Sequence, residues 1–275
     1  MKLTIRTPIV LAALGAAALS AAPVATLAAQ QRSEREAFTW SGKINEGRWI
    51  NIRNLNGSVD VQPGEGDKVE VTANRYTRRG DPDYVRFEVR KYGPRDEDVL
   101  ICALWGENTD CDEDRYRTHN SDRRNNRNEI TVDFKVRVPK GVKVAAHSVN
   151  GEVRVYDVAS EVDAGTVNGA VVVSTSGGPV NATTVNGSVR ASMGRFDSNS
   201  DMNFSTVNGS VVAEFPNTDL NADIDLSTVN GRFYMDFPVT ISGRIDPRRL
   251  RATLGKGGPR IRLSTVNGNV ELRKR

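Results

Sequence analysis

Asp223 and Asp225 are the residues of this chain best spaced for chemistry. They alternate with Leu220, Ala222, Ile224 and Leu226, a pattern that turns the apolar side chains inward on a strand and both carboxylates outward. Two residues along a strand span roughly 6.6 Å, at the lower edge of the separation that inverting glycosidases use. A polysaccharide-active hydrolase with outward-facing carboxylates is therefore the alternative reading. Nothing nearby supplies a cleft or an apolar setting to raise a carboxyl pKa, and alternating acids are ordinary on a solvated strand face. The only histidines, His119 and His147, have no cysteine nucleophile or Gly-x-Ser-x-Gly elbow beside them. Gly255-Lys256-Gly257-Gly258 is a turn and not a phosphate loop. The acidic run Glu107, Asp110, Asp112, Glu113, Asp114 lacks calcium-loop spacing. No catalytic residue, cofactor site or metal site is assigned, and the chain reads as a non-enzyme.

Two further groups have chemical character. Cys102 and Cys111 are the only cysteines, and in an oxidising compartment their short gap predicts a local disulfide. The compartment follows from residues 1–29, which read as a signal peptide: Lys2 and Arg6 form a basic start and residues 9–19 an apolar stretch. Ala25-Thr26-Leu27-Ala28-Ala29 then offers cleavage after Ala28 or Ala29. That stretch is too short to span a bilayer, and no later apolar run approaches the required length, so no transmembrane segment is expected in the mature chain. The predicted location is periplasmic or at the cell surface.

The second group is basic. Without residues 1–29 the net charge falls from +4 to +2, which is not a nucleic-acid binder's balance. Its distribution is uneven: residues 140–238 carry six Lys/Arg against eleven Asp/Glu, and 239–275 carry ten against two. Arg244, Arg248, Arg249, Arg251, Lys256, Arg260 and Arg262 are the candidate anion-binding set, with Arg273, Lys274 and Arg275 beyond them. The competing reading is a charged cap that keeps an exposed sheet edge from pairing with another molecule.

The elements that would position these groups are written in a repeat. Asn-Gly recurs after an apolar residue at Asn56, Asn150, Asn168, Asn186, Asn208, Asn230 and Asn267, with intervals of 18, 18, 22 and 22 residues from Asn150 to Asn230 and then a step of 37. A period near 20 residues predicts stacked units. Asn-Gly between apolar runs usually marks a hairpin, but here the residue before Asn is apolar and the residue after Gly is mostly polar, so a hairpin would pair them on one face. An extended path instead puts Val149, Gly151, Val153 and Val155 on one face and Ser148, Asn150, Glu152 and Arg154 on the other. The predicted fold is all-β: a β-solenoid, or right-handed β-helix-like stack, with an N-terminal β preface. Residues 30–139 form the N-terminal β region, interrupted by a polar loop at 106–129, and residues 140–275 the Asn-Gly repeat. Asn150, Asn168, Asn186, Asn208, Asn230 and Asn267 are expected to form a structural side-chain ladder. Thr166, Thr184, Thr206, Thr228 and Thr265, with Ser148, are expected to form a second one.

An exported chain carrying Asn54-Leu55-Asn56-Gly57-Ser58-Val59-Asp60-Val61, then Val136-Arg137-Val138-Pro139-Lys140-Gly141-Val142, then serial Thr-Val-Asn-Gly, resembles the bacterial putative-adhesin β-strand-repeat family of unknown function. The resemblance covers about residues 38–272 and implies a right-handed β-helix-like fold in a cell-envelope protein. The function expected is a structural or adhesin-like binding module. Its partner would be an anionic envelope glycolipid or polysaccharide, or another envelope protein, with no nucleic acid and no cofactor.

Overall fold

Each Asn-Gly is a corner where the chain leaves one sheet and enters another. Strand Lys143–Asn150 belongs to a ten-stranded sheet, and Val153–Val158, which follows Gly151, belongs to an eleven-stranded one. The structure, a computed structural model, describes residues 33–34 (backbone only), 37–113, 115–118, 128–195, 199–216, 220–241 and 246–275. The candidate signal segment 1–29 lies outside these, as do Arg244, His119, Asp114 and the 119–127 part of the polar loop. No helix among the described residues is long and apolar enough to cross a membrane.

The fold is all-β, with two large mixed sheets and one small two-stranded sheet. Successive repeats lie parallel with identical residues opposite one another. In the ten-stranded sheet Val144 faces Val162 and Val162 faces Val180. In the eleven-stranded sheet Val59, Val153, Val171, Val189, Val211 and Val270 form one row. The inward side chains of these rows are almost entirely removed from water and make one core between the sheets. Its middle is narrow, with Ala146, Ala164 and Ala182 in line, and it widens to Ile52 at one end and to Phe204, Leu263 and Leu226 at the other. The first Asn-Gly copy is part of the same stack, since Asn56 pairs with Asn150 and Val59 with Val153.

Antiparallel strands close both ends of the ten-stranded sheet and one end of the eleven-stranded sheet, whose other end is the parallel strand Phe233–Met235. Lys68–Arg79 lies antiparallel to Glu129–Val138, and Val85–Tyr92 antiparallel to Asp98–Trp105. At the far end Arg249–Leu254 lies antiparallel to Ala222–Asn230.

Three expectations are corrected. First, the order of the stack is not the order of the sequence: the C-terminal strands Arg260–Asn267 and Val270–Lys274 lie between the repeats at 202–215 and 222–235. The long step from Asn230 to Asn267 is the chain crossing back. Second, the faces assigned around each Asn-Gly are reversed before the corner. Thr166, Thr184, Thr206, Thr228 and Thr265 are buried with Ser148, while Val167, Val185, Val207, Val266 and Val229 face solvent at 38–50% exposure. Alternation holds within a strand but restarts at a corner, and an inward hydroxyl there has a backbone carbonyl to bond. Third, the polar loop contains a hairpin, Thr109–Cys111 against Tyr116–Thr118.

Candidate functional site

The corner is held by two series of hydrogen bonds. Asn168 Nδ2 donates to Asn150 Oδ1, Asn186 to Asn168, Asn208 to Asn186, Asn267 to Asn208 and Asn230 to Asn267, each at 2.8 Å. Asn267 is therefore interior and Asn230 stands at the end. The hydroxyls of Ser148, Thr166, Thr184, Thr206, Thr265 and Thr228 do not bond one another. They donate to the carbonyls of Gly57, Gly151, Gly169, Gly187, Gly209 and Gly268 in the adjoining repeat, at 2.8–2.9 Å. The Asn amides are exposed, so each bond contributes at the low end of about 0.5–1.5 kcal/mol. Asn186→Ala removes two such bonds and is expected to cost about 1 kcal/mol in urea unfolding. Asn230→Ala removes one and should cost about half as much. Equal and negligible losses would mean that the amides are held in place by the backbone and contribute nothing.

The carboxylate pair does not stand free at the surface. Asp223 accepts from the Thr253 hydroxyl at 3.2 Å. Asp225 is buried and receives a two-pronged contact from Arg249, Nε to Oδ1 at 3.0 Å and an η-nitrogen to Oδ2 at 2.5 Å. The Arg249 hydrogen bonds outweigh burial and, with the nearby charges of Arg251 and Arg262, hold the Asp225 carboxyl below the usual range. A general acid in glycoside cleavage requires the opposite shift.

The same contacts divide the basic residues. Asp225 holds Arg249 closely and Arg251 at 3.9 Å, and both arginines line a cavity of about 400 Å³ with Arg260, Asp223 and Thr253. Lys256 and Arg260 are anchored through their backbone N–H groups, to Asn221 Oδ1 and Asp201 Oδ1. The Arg248 N–H bonds Asp246 Oδ1. Arg273 lies on the other sheet, paired with Asp236 and Glu271. Arg249, Arg251, Arg260 and Arg262 thus gather about Asp223 and Asp225 on one sheet, and Arg273 stands apart on the other.

A larger hollow, about 620 Å³, lies at the other end of the ten-stranded sheet on its outer face. Its floor comes from four adjacent parallel strands: Trp49, Asn51 and Arg53; Ala145 and His147; Asp163; Asn181 and Thr183. His147 Nε2 lies 3.2 Å from Asp163 Oδ2, and Asn181 Nδ2 donates to Asp163 Oδ1 at 2.6 Å. Burial opposes charge on Asp163, yet these bonds and the Arg53 charge outweigh it and keep the carboxyl below its ordinary value. Glycine is required beside the histidine: a Cβ on Gly165 would lie 2.8 Å from His147 Nδ1 and 3.2 Å from Thr183 Oγ1.

One wall is the disulfide hairpin. Cys102 and Cys111 are bonded, and Leu100, Cys102, Leu104 and Cys111 pack with Tyr92 and Tyr116 as a small second core. Burial pushes the Tyr116 hydroxyl up, and it donates to the Ala103 carbonyl at 2.9 Å. The hairpin thereby places the Glu113 carbonyl over the floor, where it accepts from Asn51 Nδ2 at 3.2 Å and from the Arg53 guanidinium. Asp98, at the rim, accepts from the Trp49 N–H at 2.8 Å.

Aligning the repeats on their Asn would have exposed this hollow. Three residues before Asn stand Gly165, Thr183, Ser205, Ser227 and Ser264, all small, but His147 and Arg53 in two adjoining repeats. The equivalent acids of Asp163 and Asp225 share the position five before Asn, yet one meets a histidine and the other an arginine from a capping strand.

No family model matches the sequence, and no curated protein does. Among solved structures, a putative cell adhesion protein from Clostridium sporogenes is similar over 87% of this chain and 100% of its own, at 7% identity and a TM-score of 0.47. A putative adhesin from Bacteroides fragilis is similar over 88% of this chain and 98% of its own, at 12% identity and a TM-score of 0.38. At these scores the description of the fold rests on the strand pairing itself.

Proposed function

We propose that this chain is an exported cell-envelope protein, built as a β-solenoid, that serves as a structural or adhesin-like binding module without catalysis. The observation that supports it most is the in-register repetition of the same side chains along the stack. It makes an outer surface of parallel rows, about 4.8 Å apart, suited to holding an extended partner over many weak contacts. In this reading residues 1–29 are the signal peptide, 30–139 the N-terminal β region and 140–275 the repeat body. The partner is an anionic envelope glycolipid or polysaccharide, or another envelope protein; an anion at the basic end would meet Arg260, Arg262 and Arg251, the last reaching Asp225 only at 3.9 Å while Arg249 is held by it at two points. The hydrolase alternative loses support because its better-buried carboxylate is ion-paired and its pKa lowered.

The test is expression of the full chain in a bacterial host. The expected product begins after Ala28 or Ala29, is recovered from the envelope fractions, carries no free thiol when unfolded without reductant, and binds envelope glycans or lipids on an array without releasing products. Cytoplasmic retention with two modifiable thiols per molecule would overturn export. Release of new reducing ends from a polysaccharide would overturn the non-enzymatic reading.

A further inference from the structure

The geometry points to a saccharide-binding site in the hollow beside the Cys102–Cys111 hairpin, taking a short segment of a largely uncharged glycan chain. This deepens the binding-module reading and rests on it. Three observations carry it.

The first is shape. The hollow exists because Ala145 and Gly165 occupy outward positions where neighbouring repeats place longer side chains, and because the hairpin stands as a wall beside them. At about 620 Å³ it falls within the size of small-ligand sites. It spans four strands, roughly 14 Å across the sheet, which suits a chain laid along the stack better than a compact metabolite.

The second is the kind of group that converges. A sugar ring offers an apolar C–H face and a rim of hydroxyls that both donate and accept. The hollow offers the two aromatic residues Trp49 and Tyr92 at one side and planar polar groups beside them: the Arg53 guanidinium, the Asn51 and Asn181 amides, the His147 imidazole and the Asp163 carboxylate. Asn51 is buried, and Arg53 is fixed by the Glu113 carbonyl. His147 and Asn181 are fixed by Asp163. Groups fixed before binding lose little freedom on it.

The third is charge. Asp98, Glu113 and Asp163 line the hollow against the single guanidinium of Arg53, while Lys143, which lies over the Trp49 ring, is paired with Glu161 at 2.7 Å. A phosphate or a polyuronate would meet three carboxylates here, whereas hydroxyl groups can use both signs. This separates the hollow from the basic end, which begins at Arg260 and Arg262 beyond the strand Met202–Ser205 on the same sheet.

The experiment uses the mature chain with its disulfide intact. Chitohexaose, cellohexaose, maltohexaose and hexagalacturonate are titrated by calorimetry and by tryptophan fluorescence. At least one neutral hexasaccharide is expected to bind, and Trp49→Ala, Asn181→Ala and Thr183→Trp are each expected to weaken it about tenfold or more. The last variant fills the hollow without touching the core, so it stays informative if Trp49→Ala unfolds. Reducing the disulfide should weaken binding as well, by releasing the wall. No binding of any of the four by folded wild type overturns the inference, as does neutral binding that survives both Asn181→Ala and Thr183→Trp. Binding of hexagalacturonate alone, lost in Arg251→Gln, also overturns it and moves the partner to the basic end. A lipid or protein partner found on the array with none of the sugars bound leaves the module reading standing and this inference refuted.

Discussion

A chain ending at Pro259 is expected to lose cooperative folding beyond about residue 216. The missing segment, 260–275, follows the other repeats in the sequence, yet it lies one repeat in from the end of the stack. Its strands separate Met202–Ser205 from Ala222–Asn230 in one sheet and Val211–Phe215 from Phe233–Met235 in the other. Ile261, Leu263, Val270 and Leu272 are completely buried, and at about 2 kcal/mol each their loss removes about 8 kcal/mol of burial. That equals the whole net stability of many domains. Residues 220–259 should become sensitive to protease while 37–216 stays protected, as judged by limited proteolysis and hydrogen exchange. The opposing outcome is specific. Ser205, Ser264 and Ser227 occupy one register, so the truncated chain could dock Ala222–Asn230 directly onto Met202–Ser205. Unchanged protection and an unchanged urea midpoint would mean that it does so, and that the C-terminal repeat is dispensable. In the intact protein the topology implies an order of folding: the repeat at 222–235 has no parallel neighbour until residues 260–274 are in place.

Gly187→Val is expected to be the most damaging single substitution in the centre of the stack. A Cβ at Gly187 would lie 1.9 Å from the Gly169 carbonyl oxygen and 2.5 Å from its carbon, both backbone atoms of the neighbouring repeat. The Gly187 N–H bonds the Asn208 carbonyl at 2.9 Å on the other side, so the residue cannot retreat. The repeats must separate locally, with a loss of about 3 kcal/mol or more. Gly177→Ala is the control: nothing lies within 4 Å of a Cβ there, and its urea midpoint should move little. Equal effects at the two sites would show that the repeats can part without cost. The same approach recurs at Gly151, Gly169, Gly209 and Gly268, each facing the carbonyl of the glycine before it in the stack. This is the physical content of the repeated Asn-Gly: the amide bridges neighbouring repeats outside the corner while the missing side chain lets the backbones meet.

The strand content, the stacking implied by a period near 20 residues and the nearness of the two cysteines were legible without coordinates, because each depends on local pattern. Alternation of apolar and polar residues is decided within a strand, as in Glu129–Val138, where every second side chain is buried. What crosses a corner was not legible. Parity restarts at Asn-Gly, so Thr turned inward and Val outward against the reading from alternation alone. The order of the repeats was not legible either, since equivalent repeats present the same register and the same Asn to either neighbour; nothing local distinguishes Asn230 from Asn267. The partner of Asp225 came from a capping strand 24 residues away, and Arg53 came to His147 and Asp163 across most of the N-terminal region. By itself, then, the sequence determined that this protein is all-β and repeats. Tertiary structure alone decided which repeat lies at the end, which carboxylate is neutralised and where a hollow opens, because those depend on contacts between segments whose local patterns are alike.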